Sequence, residues 1–172
     1  MATTYTLISS VTVGSGGASS IDFTSIPSTY TDLNLLITAR TNRASDSDFL
    51  KMTFNGSTSG VTGKYLTGNG TSALSGSQAS TAYIDVNRVN ANTSTASTFG
   101  NISVYIPNYA GSTNKSVSYD GVNENNGTDA YTWMGAYVWS NTAAISSIKL
   151  EPGIGTTINQ YSTAYLYGIS NA

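Results

Sequence analysis

Residues 31–40 read Thr-Asp-Leu-Asn-Leu-Leu-Ile-Thr-Ala-Arg, TDLNLLITAR, and this stretch decides the fold class. Leu33, Leu35, Ile37 and Ala39 recur at every second position, with Asn34, Thr38 and Arg40 opposite them. Successive side chains of an extended chain point to opposite faces, so this period makes one face apolar and the other polar. The same period returns on either side of the stretch. Leu50, Met52 and Phe54 share a face, as do Ala82, Ile84 and Val86, and Ile102, Val104 and Ile106 alternate with Asn101, Ser103 and Tyr105. Further strand candidates are Tyr5 to Val13, Ser20 to Phe23, Lys115 to Val122, Tyr131 to Trp139, Ile145 to Leu150 and Tyr161 to Ile169. No window has the i, i+3, i+4, i+7 spacing of an amphipathic helix. Thr, Val, Ile and Tyr favour strands, whereas strong helix formers are scarce. The chain reads as all-β.

Turn chemistry separates these segments. Gly14 to Gly17, Asn55-Gly56, Gly68-Asn69-Gly70, Asn125-Asn126-Gly127 and Pro152-Gly153 supply residues that tolerate positive φ. About ten short strands at this spacing predict one domain over residues 1–172, a two-sheet antiparallel β-sandwich of jelly-roll-like form. The Gly/Ser-rich stretch from Thr67 to Ser80 reads as a mobile surface loop. Sheet edges are normally guarded by charges or proline, and this chain has few charges to spread over its strands. Residues 1–18 therefore read either as an ordinary first strand of their own sheet or as an arm adding a strand to a neighbour.

Composition narrows the function. Of 172 residues 39% are hydrophobic and only 9% charged, against about 25% charged in a typical soluble domain. Polarity comes instead from 51 Ser and Thr, 16 Asn and 17 Gly. Twelve Tyr, four Phe and two Trp spread through apolar patterns argue for a folded chain. Without histidine there is no Ser-His-Asp triad and no imidazole metal site; without cysteine there is no disulfide, thiol nucleophile or zinc finger. A net charge of −2 leaves no electrostatic footprint for nucleic acid. No apolar run is long enough to span a membrane as a helix. The opening MATTYTLISSVTVGSGG lacks the basic and long apolar parts of a secretory signal. The expectation is a non-enzymatic protein with no cofactor and no metal.

The most unusual segment is YTWMGAYVW, Tyr131 to Trp139. Period two puts Tyr131, Trp133, Tyr137 and Trp139 on one face and Thr132, Met134, Ala136 and Val138 on the other. Either the aromatics fill the core while loops cover the small face, or they form an exposed interface or sugar-stacking platform that Tyr161, Tyr165 and Tyr167 extend. Asp46-Ser47-Asp48 with Asn42 offers too few oxygens for calcium and reads as a solvated turn, or as ion-pair partners of Arg40 and Arg43. Asp22, Asp32, Asp85, Asp120, Asp129, Glu124 and Glu151 sit in no recognisable motif, which argues against a glycosidase pair. Asn-x-Ser/Thr triplets at Asn55, Asn69, Asn92, Asn101, Asn114 and Asn126 are no more than this composition yields by chance.

The run YTLISSVTVGSGGASSIDFTSIPSTYTDLNLLITARTN, from Tyr5 to Asn42, resembles the amino-terminal segment of a family of bacteriophage virion proteins. The resemblance rests on Ile8 to Val13, on IDFTSIP at Ile21 to Pro27, and on Tyr30 to Leu33 leading to Arg40. YSTAYLYGIS at Tyr161 to Ser170 resembles the family's closing strand, and Phe54-Asn55-Gly56 also fits. The resemblance implies a β-sandwich on the phage particle surface and offers no catalytic residues. It allows two placements: a capsid decoration (cement) protein contacting the major capsid protein and copies of itself, a trimer among the options, or a tail-associated adhesin contacting host surface glycan. A lone compact domain with few charges suits polyvalent decoration of a symmetric lattice, which is the preferred expectation. On either reading the protein is made in the host cytoplasm and resides on the virion. A cell-surface carbohydrate-binding module is disfavoured by the expected lack of an export signal.

Overall fold

The computed structural model describes residues 4–127 and 130–170, and among these it contains strands and no helix. The strands are β1 (Thr4–Thr12), β2 (Ile21–Phe23), β3 (Asp32–Ala39), β4 (Ser47–Phe54), β5 (Val61–Gly68) and β6 (Ala73–Thr81). They continue as β7 (Ile84–Asn90), β8 (Gly100–Ile106), β9 (Lys115–Val122), β10 (Thr132–Trp139), β11 (Ile148–Pro152) and β12 (Thr163–Ser170). All pair antiparallel, in an eight-stranded sheet of order β1-β12-β3-β8-β9-β10-β5-β6 and a four-stranded sheet of order β2-β11-β4-β7.

The order contains the jelly-roll winding. In β1-β12-β3-β8 and β2-β11-β4-β7, strands from the two ends of the chain alternate, as they do when one long hairpin is rolled into a sandwich. The other four strands are two hairpins, β5–β6 inserted between β4 and β7 and β9–β10 between β8 and β11. They join through the β10–β5 pair and lengthen the large sheet on one side.

Period two explains the core. Leu33, Leu35 and Ile37 of β3, Ile102 and Val104 of β8 and Leu166 of β12 are buried beneath Leu50, Met52, Phe54, Ile84 and Val86 of the small sheet. Asn55 and Gly56 both take positive φ (52° and 65°), and Ser57 N–H closes that turn on the Phe54 carbonyl at 2.8 Å.

One expectation needs correction. Residues 67–80 are not a loop: they are the end of β5, a turn, and most of β6. The turn is built by Asn69, whose Oδ1 accepts from Thr71 N–H at 3.1 Å and Ser72 N–H at 2.9 Å, with Gly70 at φ 81°. β6 carries no apolar alternation because it is the last strand of the large sheet, beyond the cover of the small one. As for residues 1–18, β1 pairs with β12 of its own sheet; Met1 to Thr3 lie outside the described residues.

A single row of cross-strand partners on the inner face shows how the extension is filled. It runs Leu166, Leu35, Val104, Tyr119, Gly135, Tyr65, Gly76 from β12 to β6. Aliphatic residues occupy it under the small sheet, and tyrosine alternates with glycine beyond. Each tyrosine ring lies flat over the neighbouring glycine: a Cβ on Gly135 would sit 2.3 Å from Tyr119 Cε1, and one on Gly76 2.4 Å from Tyr65 Cζ. In the next row a Cβ on Gly63 would meet Tyr137 Cδ1 at 2.1 Å. The rings thus replace the missing side chains and cover the sheet themselves. Gly63→Ala and Gly135→Ala should each cost on the order of 1–3 kcal/mol by denaturant titration, the usual penalty for overpacking. Gly14→Ala, where nothing lies within 4 Å and φ is not positive, should be nearly neutral.

Candidate functional site

The aromatic segment divides along its length. Trp133, Tyr137 and Trp139 do share the inner face of β10, with Tyr131 just ahead of the strand, but Tyr137 (3% exposed) and Trp139 (1%) belong to the core. Trp139 packs 5.5 Å from the Phe54 ring and its Nε1–H donates to Ser57 Oγ at 3.2 Å. Tyr137 stacks 5.7 Å from Tyr119, and burial pushes its hydroxyl pKa up to about 12. These two residues cannot serve as a platform, which corrects the exposed-face reading for them. Tyr131 and Trp133 are half-buried: Trp133 packs 4.9 Å from Tyr65, and the Arg88 guanidinium lies 5.9 Å from both the Tyr131 and Trp133 rings. Tyr165 and Tyr167 do not extend this surface; they point to the opposite face of the large sheet, where Tyr167 meets Tyr5 edge-on at 6.3 Å. Tyr161 precedes β12 in a turn, at φ 72° and 69% exposed.

The residues that sequence reasoning assigned to loop cover are the exposed ones. On the outer face of β10, Met134 is 61% and Val138 39% exposed, and among the described residues no loop or second sheet covers them. Leu66 on β5, Leu36 on β3, Val122 on β9 and Tyr105 on β8 are exposed on the same face. Between them stand mostly Ser and Thr, such as Ser75, Ser77, Ser103 and Ser118. The outward charges of the eight strands are Asp32, Lys64 and Asp120, and Asp32 is buried under the Tyr105 hydroxyl, which donates to it at 2.7 Å. A shallow trough of about 760 Å³ crosses β6, β5, β10 and β9 there. Leu66, Met134 and Ala136 form its floor, serines its rim, with Lys64 and Asp120 on either side of β10. The signal was in the sequence: Met134, Ala136 and Val138 are apolar on a strand whose other face was already apolar.

The remaining charged groups tie loops to the sandwich. Asp48 is fully buried and accepts from Thr41 Oγ1 at 2.9 Å, Ile154 N–H at 3.1 Å and Gly155 N–H at 3.0 Å. Asn42 Oδ1 accepts from Thr156 and Thr157 N–H, and Asp46 accepts from Thr93 Oγ1. These oxygens face donors, so the Asp46–Asp48 segment is neither a cation site nor, at Asp48, a solvated turn. Arg40 makes no ion pair with it; its guanidinium donates to the carbonyls of Thr95, Thr98 and Ser94 at 2.8–3.0 Å, and Arg43 donates to the Ser47 carbonyl at 2.9 Å. Lys115, also fully buried, donates to the Gly111, Thr113 and Thr142 carbonyls, and burial lowers its pKa. Of the other carboxylates, Glu151 pairs with Lys149 at 2.8 Å, Glu124 accepts from the Asn125 and Asn126 amides, and Asp129 lies outside the described residues. Among the described residues no three acidic side chains form a group able to hold a metal ion.

Comparison with protein-family models, with curated proteins and with solved structures found no significant match.

Asp85 on β7 gives the protein a pH dependence. Burial raises its pKa from 3.8 to about 6, with Arg88 opposing the shift and Asp48 adding to it. Between those values the folded state holds more protons than the unfolded chain, so stability falls as pH rises through the window. Wild type should therefore gain on Asp85→Asn by up to about 3 kcal/mol on going from pH 7 to pH 4, measured as the difference between their denaturant curves. Trp139→Ala should lose roughly 3–5 kcal/mol, the range for a buried tryptophan, and Trp133→Ala distinctly less.

Proposed function

We propose that this chain is a non-enzymatic virion structural protein, a decoration (cement) protein on the outside of a phage head. The observation that carries the reading is the outer face of the large sheet, broad, open and nearly uncharged. Such a face suits contact with a repeating protein lattice through apolar patches and hydrogen-bonding hydroxyls rather than through charge. The jelly-roll winding is an architecture that viral capsid proteins use, though lectins and cupins use it too, so it supports the reading only by analogy. The motifs from Ile8 to Arg40 and from Tyr161 to Ser170 support the placement on a phage particle.

The physical action is mass-action linkage. A module that binds the assembled shell and not its separated subunits stabilises the shell by RT ln(1 + [L]/Kd) at each site, about 2.7 kcal/mol when free protein is at a hundred times Kd. Many weak sites then act together on one lattice. The partners on this reading are the major capsid protein and further copies of the chain itself.

The second reading, a tail-associated adhesin for host surface glycan, now has a smaller surface to draw on. It retains Tyr131 and Trp133 beside Arg88, since Tyr137 and Trp139 are in the core. Quantitative mass spectrometry of purified particles, counting this chain against the major capsid protein, separates the two. Hundreds of copies per particle are expected; a few to a few dozen would move the protein to the tail, and absence from the particle would overturn both.

A further inference from the structure

The two sheets end in different ways. The small sheet stops at β2, three residues long, and at β7, which is bulged opposite Phe49–Leu50 and carries Asp85 and Arg88. Short strands, bulges and charges are the devices that prevent edge pairing. The large sheet stops at β1 and β6, each nine residues long, and neither contains a charged residue or a proline. The same chain thus guards one sheet and leaves the other open.

The two open edges are not equivalent. On β1 the register shifts in mid-strand, between Leu7 and Ser9, so the edge is broken into short runs. On β6 the shift falls after Gln78, and Ala73–Gln78 stays in unbroken register with β5. Apolar side chains are open on both faces at this end: Leu74 (61% exposed) on the inner side, Leu66 (59%) on the outer side of β5.

We propose that β6 is an interface for a second copy of this chain, in which Ala73–Ser77 of one copy pairs antiparallel with the same run of the other across a two-fold axis. An antiparallel edge read backwards presents the same sequence of donors and acceptors, so a regular, uncharged run is a template for itself. Such isologous pairing consumes both edges and stops at two copies, with the two large sheets joined into one. The pleat restricts the register, because residues keep their faces only when the axis passes through a residue rather than between two. An axis at Ser75 sets Leu74 beside the partner's Gly76, the position with no side chain that the Tyr65 ring covers. This pairing is independent of the proposed role on a particle.

The test is the molar mass in solution, by sedimentation or light scattering, from micromolar to millimolar concentration. Wild type should reach the mass of a dimer. Ser75→Lys with Ser77→Lys, both on exposed positions of β6, should halve that mass while leaving the circular dichroism spectrum and Tm unchanged. Thr6→Lys with Ser10→Lys on β1 should remain dimeric. A wild type monomeric throughout the range, a dimer that survives the β6 substitutions, or one that is lost with the β1 substitutions would each overturn the proposal. So would assemblies that grow past two copies and are capped by the β1 variant, since they would mean head-to-tail pairing of β1 with β6.

Discussion

Tyr119 over Gly135, Tyr65 over Gly76 and Tyr137 over Gly63 form the contact on which the large sheet depends. The small sheet is four strands wide and the large one eight, so the small sheet is too narrow to face the whole of the large one. A twisted sheet left bare there would expose backbone and small side chains to water on both faces. The rings solve this by lying along the sheet rather than standing up from it, and they fit only where the neighbouring strand has no Cβ. Gly63, Gly76 and Gly135 are therefore packing positions, although each would ordinarily weaken a strand.

This arrangement determines which surface remains free. Once the aromatics of β10 are turned inward, its outward residues are Thr132, Met134, Ala136 and Val138, flanked by Leu66 and a field of serines. Polar clamps tie down the loops: Arg40 on the segment around residues 92–98, Asp48 and Asn42 on 154–157, and Lys115 on the turns at 111–113 and 142. The clamps use charges as hydrogen-bonding anchors with backbone partners, which explains how a chain so poor in charge still buries several of them.

The fold class was legible because period two is imposed wherever one face is buried and the other wet. Asp32–Ala39, Gly100–Ile106 and Lys115–Val122 satisfy that condition and were readable to within a residue or two. Ala73–Thr81 fails it on both faces, so its sequence looks like a loop although it is a strand. The site was half legible. Periodicity placed Tyr131, Trp133, Tyr137 and Trp139 on one face but carries no sign, and the inward direction follows only from Gly63 and Gly135 on β5 and β10, whose partners in space are not near in sequence. Asp46–Asp48 misled for the same reason: the donors that occupy Asp48 come from residues 154 and 155, more than a hundred positions away.

On the proposed role, the outer face around Met134 is the surface this protein works with. Methionine oxidation by dilute peroxide reports on it directly, because Met134 is 61% exposed and Met52, fully buried, serves as the internal reference. Peptide mass spectrometry should find Met134 oxidised readily in the isolated protein and protected on the assembled particle, with Met52 unreactive in both. Equal oxidation of Met134 in the free and assembled states would contradict the account.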